Sequence, residues 1–226
     1  MEPSVPPILG LTAPARRSRS ERMRILIGAP AFLLVAMLGA EGLSGAAPAP
    51  PPTVGTGPGR HAKAASNAGA LDRLFESLRE AESPEIARGI EQVIWSIWLN
   101  AGNHDVDRLL GLSVEAMNKR EFPLARSYLD RVVALEPDFA EGWNKRATVH
   151  FLEVDYARSI EDIRRVLSLE PRHFGALSGL GMILETIGQK GEALATFRRV
   201  LAIHPQIPAV QRRVEVLSVE VEGQEL

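Results

Sequence analysis

Three stretches of this chain end alike: VVALEP closes at Pro137, VLSLEP at Pro171 and VLAIHP at Pro205. The interval is 34 residues both times. This limits the fold more than any other feature, because a unit repeated at fixed length buries its apolar side only by stacking on its neighbours. With the blocks superposed, the fourth place holds Leu109, Trp143 and Leu177, and the eighth holds Ser113, Ala147 and Gly181. The twentieth holds Ala125, Ser159 and Ala193; the twenty-fourth Leu129, Ile163 and Phe197; the twenty-seventh Val132, Val166 and Val200. Several independent positions therefore fix one phase.

Within a block the apolar spacing is that of a helix. Leu177, Leu180, Gly181 and Leu184 share one face, and Ala193, Leu194, Phe197, Val200 and Leu201 share another. Between them lies a turn over 186–191, where Gly188 is placed to end the first helix. Small residues at the eighth and twentieth places let the two helices approach, and the large ones fill the space beside them. Upstream, 71–81 and 83–102 read as a further helical pair, with Ser83 and Pro84 as N-cap and first turn. Trp95 and Trp98 in it are expected to seal the first repeat against the helix over 106–119; alternatively one of them lines a ligand surface. Downstream, Val210, Val214, Leu217 and Val221 form the stripe of a capping helix.

Trp143 in the middle block, Leu180 and Gly181 with Ala193 and Phe197 in the last, and Pro137, Pro171 and Pro205 at the three ends form a pattern that resembles the tetratricopeptide repeat family. The resemblance implies an all-α, right-handed α-solenoid of helix-turn-helix units, with the first helices lining an inner groove that binds a partner. Carried over residue by residue, the groove positions include Leu110, Val114, Met117 and Asn118, then Asn144, Thr148, Phe151 and Leu152, then Met182 and Glu185. This lining is apolar and neutral-polar, so it suits an apolar helix or extended segment, with Asn118 and Asn144 available to its backbone. The basic residues that clamp a terminal carboxylate in other members are missing. Arg146 departs from the pattern by standing in the leucine place, where it is expected to pair with Asp130, Glu136 or Asp162, an anion-gripping role being the alternative.

The front of the chain is a different material. An arginine-containing segment precedes the apolar run over 25–40, and small residues follow, the order of a secretory signal peptide. Residues 1–47 are read as that leader, with Met23 as an alternative start and cleavage near 44–47; an uncleaved membrane anchor is the second reading. Residues 48–70, rich in Pro, Gly and Ala, are read as a flexible linker, and 71–226 as the repeat domain. That domain divides into a degenerate repeat or cap (71–105), repeats at 106–139, 140–173 and 174–207, and a capping helix (208–221). The expected location is the periplasm, and the pattern is similar to exported proteobacterial repeat proteins.

Chemistry is hard to find. The chain has no cysteine, which removes thiol nucleophiles and thiolate ligands, and a net charge of −2 gives no field for nucleic acid. His61, His104, His150, His173 and His204 lack the spacing of a helical metal pair. The HDVD segment at His104 reads as a helix start, and no serine sits in G-x-S-x-G. The sequence thus predicts no enzyme, cofactor or metal, but a protein- or peptide-binding scaffold or adaptor of the cell envelope. A self-associating structural element is the alternative, and a hydrolase the remote one.

Overall fold

The computed structural model describes residues 58–223, with side chains from Ala68 onward. The leader and most of the proline-rich stretch therefore lie outside the described residues. Among the described residues the structure is all helical: α1 (Pro58–Arg79), α2 (Pro84–Trp98), α3 (His104–Asn118), α4 (Phe122–Leu135), α5 (Ala140–Leu152), α6 (Tyr156–Leu169), α7 (Phe174–Thr186), α8 (Lys190–Ile203) and α9 (Pro208–Glu222). Helices α3/α4, α5/α6 and α7/α8 are the three repeats, each pair packed along its length and each docked on the next. Helix α9 closes the far end with Val210 and Leu217 buried against the last repeat.

Local chemistry sets the helix ends. Ser83 Oγ accepts from Ile86 N, Asn103 from Asp105 N, Asp155 from Arg158 N, and His173 Nδ1 from Ala176 N, so each satisfies an orphan donor of a first turn. The inner helices α3, α5 and α7 end identically. Arg120, Val154 and Gly188 take φ of 60°, 64° and 87°. The next amide in each case donates back to Ala116 O, His150 O or Leu184 O at 2.8–2.9 Å. This is the Schellman closure, repeated at the period of the sequence.

The interior follows the superposed positions. Val132, Val166 and Val200 have no exposed surface, and Ala125, Ser159 and Ala193 let the paired helices meet, Ser159 giving its hydroxyl to Ala147 O at 2.8 Å. Burying each valine contributes ~1.5–3 kcal/mol. Gly181 lies so close to Phe197 that a Cβ there would sit 2.6 Å from the ring. Trp143 is the exception at the fourth place: it is only half-buried, with its Nε1 donating to Pro137 O.

Two expectations change. Helix α1 starts at Pro58, well inside the stretch read as a linker. From there the sequence is alanine-rich, contains no further proline before Pro84, and begins with a proline in the first turn, where its missing N–H costs nothing. Second, Trp95 and Trp98 do not seal the first repeat against α3. Phe75, Leu78, Ala87, Ile94 and Trp98 share one core with Phe174, Leu177, Phe197 and Ile207 of the last repeat and its junction with α9. The physical reason lies in repeat one. Gly142 and Val149 are buried where α5 meets the preceding repeat, but their counterparts on α3, Arg108 and Glu115, are exposed, as is Gly111 between them. That face is solvated and offers α2 nothing to pack on.

Candidate functional site

The ten groove positions divide by exposure. Leu110, Met117, Asn144, Thr148 and Phe151 are buried; Val114, Met182 and Glu185 are half-buried; Asn118 and Leu152 are exposed, Leu152 at 42 %. Phe151, expected as an open contact, retains 8 % of its surface, its ring 5.7 Å from Tyr156, in the seam also lined by Ile163, Gly179 and Ile183. Asn144 is likewise buried, and its Nδ2 donates to Glu141 Oε2 at 2.9 Å, while its main-chain carbonyl accepts from Thr148 Oγ1 at 3.0 Å. Glu185 pairs with Arg213 of α9 at 2.8 Å. What remains open among these positions is Val114, Asn118, Leu152 and Met182, toward the C-terminal ends of the inner helices.

The N-terminal ends of α5 and α7 are covered by α2. Trp95 rests on Gly175, where a Cβ would lie 2.8 Å from the indole, and Trp98 stacks on His173 with centroids 4.1 Å apart and planes 7° from parallel. Trp95 meets Trp98, His173 and Phe174 edge-on at 5.2–5.6 Å. Around this aromatic cluster, Arg172 bridges to Asp72 at 2.7 Å while lying over Phe75, and Gln206 Nε2 donates to Ala81 O.

Beneath the indoles is a buried polar set that the sequence reading missed. Glu141, with 1 % of its surface exposed, holds Lys145 Nζ at 2.9 Å through Oε1 and His173 Nε2 at 3.1 Å through Oε2. Because His173 Nδ1 accepts the Ala176 amide, the ring carries its proton on Nε2 and donates it to Glu141. Burial pushes the Glu141 carboxyl up, but the Lys145 ammonium and the hydrogen bond from His173 outweigh it and hold the group at about 2. Lys145 also sits 5.8 Å from the Trp95 ring centroid. The signal for this set was present but ambiguous, since Glu141 and Lys145 four apart on a helix read equally well as a solvated pair.

On the side of α4 and α6 lies a charged cleft of about 660 Å3, lined by Arg126, Asp130, Trp143, Arg146, His150 and Asp162 among others. Here Arg146 behaves as its sequence position suggests. Its Nε and Nη2 donate to Asp162 at 2.8 and 2.7 Å, its Nη1 donates to Asp130 at 2.9 Å, and its guanidinium lies 4.7 Å from the Trp143 ring centroid. Of the three expected carboxylates, Glu136 is not used by Arg146; it accepts instead from Asn103 Nδ2 at 3.0 Å. Three of its five N–H donors are engaged and two carboxylates offset its charge, so Arg146 is committed to this network rather than to an outside anion. His104 opens α3, with Asp105 and Asp107 in the first turn and Asp107 accepting from Ala101 N. Among the described residues no group of three His, Asp or Glu converges as a metal site.

Comparison with known proteins agrees with this geometry. The tetratricopeptide repeat profile matches residues 110–167 and 154–208. A tetratricopeptide-repeat-containing protein of Rhizobium etli is 37 % identical over 153 residues, covering 68 % of this chain and 75 % of that protein. Anaphase-promoting complex subunit 3 of Schizosaccharomyces pombe is 28 % identical over 87 residues, which span 38 % of this chain and 13 % of that subunit. Among solved structures, the Arabidopsis OM64 TPR domain superposes with a TM-score of 0.50 at 16 % identity, over 52 % of this chain and 98 % of that domain, a likeness of fold alone. From the 34-residue period, the three repeated helix closures and the length of the match to the Rhizobium etli protein, the chain belongs to the tetratricopeptide repeat family.

Proposed function

We propose that this chain is a non-enzymatic adaptor of the bacterial cell envelope, an exported proteobacterial repeat protein that holds an apolar segment of another protein against the open stretch of its inner helices. Proteins of this family generally act as scaffolds that bind proteins or peptides without catalysis. The observation that carries the reading is Leu152, an aliphatic side chain left 42 % exposed at the end of α5, with half-buried Val114 and Met182 one helical turn earlier in the flanking repeats. An apolar row needs a cover to leave water, and Asn118 beside it can meet a partner's backbone. Export is supported by the basic, apolar and small-residue order of the first 47 residues.

The test is affinity capture from an envelope fraction with the full chain and its Leu152→Glu variant. The variant should keep its helical circular dichroism and lose the proteins that the parent recovers. Recovery of the same set by both would reject the site. Phe151→Glu does not serve, because a carboxylate placed in that closed seam unfolds the repeat for reasons unrelated to binding.

A further inference from the structure

We propose that the α1–α2 pair is exchangeable between copies of this chain, so that the surface it covers on α5, α7, α8 and the segment before α9 receives the same pair from a second copy in a reciprocally swapped dimer. The surface fits this sequence in detail. Gly175 makes room for Trp95, the His173 ring takes the face of Trp98, Arg172 is held between Asp72 and Phe75, and Gln206 reaches the Ala81 carbonyl. No helix is better matched to it than another copy of α2.

The pair is also attached as a docked body rather than as a member of the stack. It meets the repeats through one shared core on α7 and α8, aromatic over the inner helices and aliphatic where α1 meets α8, and the short segment 99–103, with Gly102 at φ of 71°, joins it to α3. The exposed face of repeat one, with Arg108, Gly111 and Glu115, gives the pair no second place to settle in its own chain. Docking is also imperfect: Trp98 Nε1 and His204 Nδ1 are buried at or beside this interface without a hydrogen-bond partner. Once opened, the pair returns either to its own inner helices or to those of a neighbour.

Mass action selects the second copy over a foreign helix. An unrelated helix must displace a tethered competitor whose effective concentration is on the order of millimolar. A second copy restores every lost contact twice, so exchange costs only the difference between tethered and free encounter. The inference does not depend on the peptide-binding reading, since the swapped surface and the row at Leu152 are separate.

The chain has no cysteine, which permits a direct test. Full-length Asp72→Cys and Arg172→Cys chains are unfolded together, refolded over a range of concentrations and treated with a short bis-maleimide. The double variant, refolded at the lowest concentration, should give an internal link and so verify reach. In the mixture we expect a covalent heterodimer whose fraction rises about tenfold for each tenfold rise in concentration while dimer is the minor species, and Leu152→Glu should leave it unchanged. A mixture that never yields the heterodimer while the double variant links internally overturns the proposal. So does a sedimenting dimer that carries no such link, because its interface lies elsewhere. If either variant fails to regain its helical dichroism, Ala81→Cys with Gln206→Cys asks the same question at a second contact.

Discussion

Val154 holds φ at 64°, a conformation that crowds a β-branched side chain against its own carbonyl, and it does so while 55 % exposed. The closure of α5 needs the left-handed residue there, as Gly188 supplies it for α7. Replacing Val154 with glycine should therefore stabilise the protein by about 1 kcal/mol, the relieved strain outweighing the added freedom of the unfolded chain. The measurement is the urea midpoint at unchanged slope; a midpoint that falls would show that the valine side chain contributes contacts worth more than the strain. Glu141 yields a prediction in pH. Its carboxyl is held at about 2 against an ordinary value of 4.5. The folded state thus binds the proton less readily than the unfolded state, and the contribution is complete above pH 4.5. It is lost as pH falls from 4.5 toward 2. Glu141→Gln should remove this limb from a plot of stability against pH. It should also cost about 3–5 kcal/mol at neutral pH, because Lys145 stays buried without its counter-charge.

At the scale of elements, the repeats were legible because their signal is redundant. The small places held by Ala125, Ser159 and Ala193 and the large ones held by Leu129, Ile163 and Phe197 are all buried as the period requires. Gly188 announced its turn; Arg120 and Val154, which adopt the same backbone, did not, since only their distances of two periods and one period from that glycine reveal them. The site was harder to read. Its groove positions came from resemblance to a family, and whether Asn144 or Phe151 faces water depends on α2 and on the helix across the seam, not on their own repeat. The placement of α2 left one trace, Glu115 standing where Val149 and Ile183 are fully buried, a charge that forbids stacking there. The α2 interface itself can be probed through Gly175. A methyl at 2.8 Å from Trp95 meets a rigid ring, so Gly175→Ala should cost about 1–3 kcal/mol and shift the tryptophan emission as the indole moves out. Amide exchange should quicken in α1 and α2 and stay unchanged in α3 and α4. Uniform quickening would mean that the pair and the stack open together as one unit.

For the whole molecule, the decisive matter is how each end of the stack is finished. Helix α9 finishes one end by burying Val210 and Leu217. Among the described residues no helix covers the other end, because α1 and α2 turn onto the inner helices instead; it is finished by polarity, with Arg108 exposed and Glu115 paired to Lys119 at 2.6 Å on the surface. An exposed pair of this kind adds little stability, so its value lies in keeping that face wet and unattractive to another stack. Giving α3 the residues that α5 uses at these places, Arg108→Gly with Glu115→Val, should create an apolar end that seeks a neighbour. Sedimentation should then show association that grows with concentration and that an Asp72→Cys plus Arg172→Cys mixture, carrying the same two changes, does not trap to any greater extent than before. A monomer at every concentration would show instead that the end is closed by shape, and that charge at Glu115 is incidental to where the repeats stop.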